Sequence, residues 1–236
     1  MPAERYYIES ELTKSDEVIL EGLEFHHLTN VMRSKAGEKV EIVNGSGCLA
    51  TATILHVEKK KAVLEIDELF NAPKPAHQVI LAQAIPRLNR LDFIVEKGTE
   101  LGMTELWLFP GDRSERKELS TSQIERLKSI TVAALKQCGR LYLPQIMMKP
   151  ALAKWPSAPI SLYFGDLSPT APLFSDLMGQ KHDRNIIFCT GPESGFSENE
   201  AKKLIELGAS GVKLHSHILR TDTASLAALT LITHQL

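Results

Sequence analysis

The chain has 236 residues, with 27 Lys and Arg against 29 Asp and Glu, 43% hydrophobic and 24% charged, which is the composition of a globular protein. No apolar run approaches the roughly 20 residues of a membrane helix, and Met1–Ser10 has no signal-peptide stretch, so the expected location is the cytoplasm. Cys48, Cys138 and Cys189 are far apart with no CxxC, against a disulfide framework or a zinc site, and a net charge of −2 excludes a protein that coats nucleic acid through Lys and Arg alone.

In chain order, the first segment reads as β-rich. Arg5–Ile8 is a short strand, and the spacing of Phe25, Leu28, Val31 and Met32 predicts a helix over Glu24–Ser34 with these four on one face. Lys39–Val43 and Leu49–Val57 nearly alternate and are β-branched, and Asn44-Gly45-Ser46-Gly47 between them supplies the positive-φ residues of a hairpin. Ala62–Leu69 adds a strand. A small barrel with one helix follows. The segment Asn71–His77, NAPKPAH, then has the look of a linker and divides the chain into 1–72 and 73–236.

From Gln78 strands alternate with helices. Strands are expected at Val79–Ala84, Glu105–Phe109, Ile160–Phe164, Asn185–Thr190 and Val212–Leu214. Helices are expected at Arg90–Leu101, at Ser122–Gln137 behind a Ser122/Glu125 capping box, at Ser197–Leu207 behind a Ser197/Glu200 box, and at Thr223–His234. The alternation predicts an α/β domain with a mostly parallel sheet covered on both faces, whose ligand sits beyond the carboxyl ends of the strands.

Charge is unevenly spread: residues 1–75 carry nine basic and thirteen acidic side chains, 76–155 twelve and eight, and 156–236 six and eight. The arginines of the middle segment gather in loops as well as on a helix, which fits phosphate contacts better than a solvated helix face. Glu96, Lys97 and Glu100 are spaced to pair with one another.

Two loops carry the most chemistry. Gly191-Pro192-Glu193-Ser194-Gly195-Phe196-Ser197 leaves an apolar strand for a capped helix, with glycines that allow close backbone approach to a ligand, or that make only a tight turn. It is neither GxGxxG nor a P-loop. Leu214 to Ala224, LHSHILRTDTA, ends a strand in a polar loop with apolar Ile218 and Leu219, and offers N-cap oxygens at Thr221–Thr223. His215 and His217 have the spacing of a metal pair but lack a third ligand with matching context, so no metal is expected.

At these residues the sequence resembles the RsmE type of SPOUT methyltransferase. The resemblance rests on Arg5-Tyr6-Tyr7, His27 with Val31-Met32-Arg33 and Gly37, Asn44 to Gly47, Glu96 to Gly102, Ser114-Glu115-Arg116, Ala134 with Gln137 to Arg140 and Pro144, GPESGFS and ILRTDTA. It implies an N-terminal PUA-like β-barrel for RNA and a C-terminal α/β trefoil-knot domain. It further implies transfer of a methyl group from S-adenosyl-L-methionine to N3 of a uridine in 16S RNA of the small ribosomal subunit, by a homodimer. The chain departs from the family pattern at Ser194, His215, His217 and Asp222, with His215 standing where glycine is usual. A non-catalytic RNA-binding protein with a degenerate methyltransferase domain is the alternative.

The resemblance assigns the cofactor to Phe164, Gly165, Gly191, Pro192, Glu193, Gly195, Leu214, Ile218 and Leu219. Arg220 is the candidate to stabilise the uracil anion or to contact a phosphate, and Glu193, Glu100 and Asp222 are candidate bases, Asp222 equally a helix cap. Arg5, Arg33, Arg87, Arg90, Arg116 and Arg140 are the expected RNA contacts.

Overall fold

The computed structural model describes residues 4–156, 160–178 and 185–236. They form two compact units: the chain up to Lys74 together with Val132–Leu143, and Pro75–Thr131 together with Pro144–Leu236.

The first unit is a five-stranded sheet of β1 (Arg5–Tyr7), β2 (Glu17–Glu21), β3 (Lys39–Val43), β4 (Cys48–Val57) and β5 (Lys61–Asn71), in the order β1-β3-β4-β5-β2. Only β1 and β3 are parallel. Alternation drives it: Val40 and Ile42, Ala50, Ala52 and Ile54, and Leu64 and Ile66 point into one core around Tyr6 and Leu28. The β3–β4 hairpin turns as expected, with Gly45 at φ +70 and Gly47 at φ +104. Strand β2, EVILE, was not expected; its alternation, with Val18 and Leu20 inward, is disguised by the charged flanks.

The helical segment differs from the periodicity reading. A short α1 (Gly22–His26) passes into a π turn over His27–Met32 that ends with Arg33 in the left-handed region at φ +59. The π turn rotates the apolar face out of register, so Leu28 is buried and Phe25 half-buried while Val31 and Met32 are exposed.

The second unit is a six-stranded, wholly parallel sheet of β6 (Gln78–Ala84), β7 (Glu105–Phe109), β8 (Gln145–Met148), β9 (Ser161–Gly165), β10 (Asn185–Thr190) and β11 (Ser210–Val212), ordered β11-β9-β10-β6-β7-β8. Both faces are covered. Along β6, Val79 and Leu81 enter one core with Phe188 and Leu229, and Ile80 and Ala82 enter the other with Phe109 and Leu204. The edge strand β8 lacks β-branching beyond Ile146 and was not read from sequence.

The helices are α2 (Leu88–Glu100), α3 (Thr121–Cys138), α4 (Phe174–Met178), α5 (Glu198–Glu206) and α6 (Thr221–Gln235). Helix α3 begins one residue early because its box is Ser120/Gln123: Gln123 donates its amide to Ser120 Oγ and accepts the Ser120 amide at 2.8 Å. The expected Ser122/Glu125 box does not form. Strand β11 stops at Val212 because the next amide, Lys213, bonds to the Pro172 carbonyl at 2.8 Å. Lys97 bridges Glu96 and Glu100 at 2.7 and 2.8 Å, as the spacing predicted.

Candidate adenosine and RNA site

Strands β11, β9, β10 and β6 are neighbours, with Val212 opposite Gly165, Cys189 opposite Phe164 and Thr190 opposite Gln83. The loops that follow them therefore leave the sheet side by side, which is where an open parallel sheet binds its ligand. The expected cofactor residues all belong to these loops or to the ends of their strands.

In the loop after β10, Gly191 and Pro192 are buried and Gly195 sits at φ +70, its amide closing the turn on the Pro192 carbonyl at 2.9 Å. A Cβ on Gly191 would lie 3.0 Å from the Phe196 nitrogen and 3.1 Å from the Gly195 carbonyl carbon, so the loop folds against this glycine. Phe164 meets Phe196 edge-on, with ring centroids 6.1 Å apart. Gly165 is followed by Asp166, whose amide bonds to the Val212 carbonyl at 2.9 Å. Gly211 makes room for the Asp166 carboxylate, which a Cβ would approach to 2.7 Å.

In the loop before α6, Leu214 and Leu219 are half-buried and Ile218 is 78% exposed. His215 and His217 are exposed, and His215 Nδ1 accepts the His217 amide at 3.1 Å. No group of three His, Cys, Asp or Glu side chains suited to a metal occurs among the described residues. Arg220 is exposed at the N-cap position of α6, and no side chain caps this helix. Of the oxygens expected to cap it, the Thr221 hydroxyl donates to the Gly191 carbonyl at 2.7 Å, while Asp222 accepts the Thr223 amide of the first turn on Oδ1 at 3.0 Å and faces an arginine with Oδ2.

That arginine is Arg90. Its Nη1 is 2.8 Å from Asp222 Oδ2 and its Nε 3.3 Å from Glu193 Oε1, and Glu193 Oε1 also accepts the Arg87 amide at 3.1 Å. Arg90 thus ties the start of α2 to both candidate loops instead of standing free for phosphate. Arg87 pairs with Glu115 in the open. The hydrogen bond between them raises the arginine's pKa and lowers the carboxyl's. Arg116 is exposed and makes no ion pair among the described residues.

The loop after β7 is joined to the loop after β10 by a carboxylate that periodicity assigned only to a helix cap. Glu200, 4% exposed, accepts the Ser197 amide at 2.8 Å and the Asp112 amide at 2.9 Å, and Ser197 Oγ donates to Asp112. Arg113 adds a bond to the Ser194 carbonyl at 3.1 Å. Gln83 was also missed. It is a polar residue in the apolar strand QVILAQA, and a buried amide requires partners. That requirement was the signal available in the sequence.

Within the first unit, Arg5 pairs with Glu41 across the parallel β1–β3 register, its Nε 2.8 Å from Oε2, and its side chain is 9% exposed. It is therefore not the free cation expected. Arg33 is exposed, and Arg140 is half-buried, with burial pulling its pKa down. Lys136 pairs with Glu24 at 2.6 Å.

The chain matches the family model of an RNA methyltransferase domain over residues 72–233 and that of an RNA methyltransferase PUA domain over residues 20–67. It is 29% identical to the ribosomal RNA small subunit methyltransferase E of Buchnera aphidicola, over 96% of this chain and 91% of that protein. Against the Bacillus subtilis enzyme of the same name the identity is 27%, over 98% and 96%. The crystal structure of the Neisseria gonorrhoeae ribosomal RNA small subunit methyltransferase E bound to S-adenosyl methionine superposes with a TM-score of 0.86 at 28% identity, covering 99% of this chain and 98% of that one. A Legionella pneumophila protein at 24% identity shares the fold with a TM-score of 0.88, covering 99% and 98%. With one family model spanning 72–233 and its companion PUA domain lying within the first sheet, the chain belongs to the RNA methyltransferase family.

Proposed function

We propose that this protein transfers a methyl group from S-adenosyl-L-methionine to N3 of a specific uridine in 16S RNA of the small ribosomal subunit. The observation that carries the reading is the set of three adjacent strand-end loops, after β9, β10 and β11, built from glycine backbone and apolar side chains without a phosphate-binding motif. The donor set suits an adenosine. Main-chain atoms of Gly191, Pro192 and Gly195 answer the polar edge of the base and ribose, and Phe164, Leu214, Ile218 and Leu219 answer its faces. A Cβ added at Gly165 or Gly195 would meet nothing within 4 Å, so both present open backbone. Thr190 Oγ1, buried at the end of β10, has no hydrogen-bond partner among the described residues and is a further polar atom for that ligand.

The cofactor supplies a methyl carbon already activated by its sulfonium, so the protein's work is alignment and proton management. Arg220, exposed at the mouth of the α6 loop, is the cation that stabilises the uracil anion. Glu193 Oε1 accepts the Arg87 amide and ion-pairs with Arg90, which leaves Oε2 as the acceptor for the N3 proton. Arg33, Arg87, Arg116 and Arg140 contact RNA phosphates, whereas Arg5 and Arg90 act with their carboxylate partners by holding the elements that do so. The functional division is 1–72 for RNA and 73–236 for chemistry.

The protein works as a homodimer in the cytoplasm, where its substrate is. No helix of the described residues is long and apolar enough to cross a membrane. Nucleoside mass spectrometry of small-subunit RNA from cells with and without the gene tests the reading. Loss of N3-methyluridine and its return with the intact gene are expected, and an unchanged level in the deletion overturns it. Light scattering of the purified protein tests the dimer.

A further inference from the structure

The penultimate side chain of strand β6 is polar and belongs to neither candidate loop. Gln83 is wholly buried, and its amide nitrogen lies 2.9 Å from the Ala84 carbonyl, 3.1 Å from Thr221 Oγ1, 3.2 Å from the Gly191 carbonyl and 3.4 Å from the Thr190 carbonyl. Ser225 Oγ stands 2.7 Å from its Oε1, which defines the orientation of the amide. Thr221 Oγ1 spends its own hydrogen on the Gly191 carbonyl at 2.7 Å, so it can receive one from Gln83. The result is a relay inside the protein, from the Gln83 amide through the Thr221 hydroxyl to the first carbonyl of the β10 loop.

That carbonyl has unusual weight. The peptide from Gly191 leads into Pro192 and so has no N–H, and its oxygen is the one polar atom it presents. Turned inward and unbonded, the oxygen would be a buried acceptor without a partner, a cost large enough to flip the peptide. The rest of the loop follows its position, because Gly195 and Phe196 pack directly on the Gly191 Cα at distances that leave no room for a Cβ. Gln83 therefore stands behind three elements at once: the end of β6, the β10 loop and the first turn of α6.

We propose that Gln83 is a positioning residue for adenosylmethionine binding, holding the Gly191 carbonyl inward both directly and through Thr221 so that the Gly191–Phe196 backbone is set for the adenosine before the ligand arrives. It rests on the reading of the β10 loop as the adenosine loop. It extends that reading to a residue that touches no ligand and acts on affinity, with RNA recognition left unaffected.

Calorimetric titration of the full chain with S-adenosyl-L-methionine tests it. The wild type is measured first, and absence of binding there overturns the functional reading itself, independently of Gln83. Given wild-type binding, Gln83→Met, which keeps length but no hydrogen-bonding group, is expected to raise Kd about tenfold or more, the equivalent of one well-placed hydrogen bond. The KM for RNA is expected to stay within about twofold. Thr221→Val, which cuts the same relay from its other end, should weaken binding similarly, and Thr221→Ser should restore it. Leu106→Ala, a core truncation on β7 that removes no hydrogen-bonding group of the relay, should lower the melting temperature and leave Kd unchanged. If Gln83→Met does not fold, the Thr221 pair decides. A wild-type Kd in folded Gln83→Met or in Thr221→Val, or a Leu106→Ala effect on Kd as large as theirs, overturns the proposal.

Discussion

Arg90 holds Asp222 and Glu193 at once, with one nitrogen 2.8 Å from Asp222 Oδ2 and another 3.3 Å from Glu193 Oε1. A single guanidinium therefore fixes the first turn of α6 and the loop after β10 to the start of α2. Its planar fork matches this task and a lysine's single ammonium does not. Arg90→Lys should raise the Kd for adenosylmethionine about fivefold, and Arg90→Ala should do so further. Both should also lower unfolding free energy by about 1 kcal/mol, a modest figure because the three groups remain partly solvated. Denaturant titration and calorimetry check this. A pure phosphate contact would change the salt dependence of RNA binding and leave cofactor affinity alone.

Gly191 should be intolerant of a side chain for reasons of space. Its Cβ position is 3.0 Å from one backbone atom and 3.1 Å from another, and neither belongs to a flexible side chain that could swing away. Gly191→Ala is expected to weaken adenosylmethionine binding at least tenfold with only a modest loss of melting temperature, since the strain falls on one loop. Titration alongside thermal unfolding separates the two effects.

His215 makes the opposite case. Its ring is exposed and accepts a single bond, from the His217 amide. Exposed substitutions of this kind stay within about 0.5 kcal/mol, so His215→Gly should leave adenosylmethionine affinity within about threefold of wild type. A larger change in a titration would give the histidine a direct place against the ligand.

Alkaline pH should weaken the first unit. Burial pushes the Tyr6 hydroxyl up to about 12 from an ordinary 10.0. The folded state thus keeps its proton between about pH 10 and 12 while an unfolded chain loses it. Stability is full below pH 10 and falls as pH rises through this window, by about 1.4 kcal/mol per pH unit at most. Tyr6→Phe should remove that part of the slope. Stability measured by urea at pH 9 and pH 11 in the two proteins tests it.

Where a signal was local, the sequence displayed it. The Ser197/Glu200 box formed as read, as did the Gly45/Gly47 hairpin, because each depends on residues a few positions apart. The Ser122/Glu125 box failed against Ser120/Gln123, since three successive hydroxyl residues compete to start α3 and the Gln123 side chain reaches back to the Ser120 amide. The carboxylate partners of Arg5 and Arg90 were not legible because they lie 36 and 132 residues away. The second bond of Glu200 and the relay of Gln83 were hidden for the same reason: each joins β-strand ends that only the sheet order brings together.

The tie between Asp112 and Glu200 bears on which molecules this end of the sheet accepts. Helix α5 opens toward the β10 loop, the place where an α/β protein commonly receives a phosphate. Here part of that position is taken: Ser197 Oγ accepts the Glu200 amide, Glu200 accepts the Ser197 and Asp112 amides, and the Asp112 carboxylate stands beside them. A nucleotide's phosphates would meet the Glu200 and Asp112 carboxylates at this end of the helix. The adenosylmethionine proposed for this loop carries a net positive charge on its tail, for which these carboxylates are no obstacle.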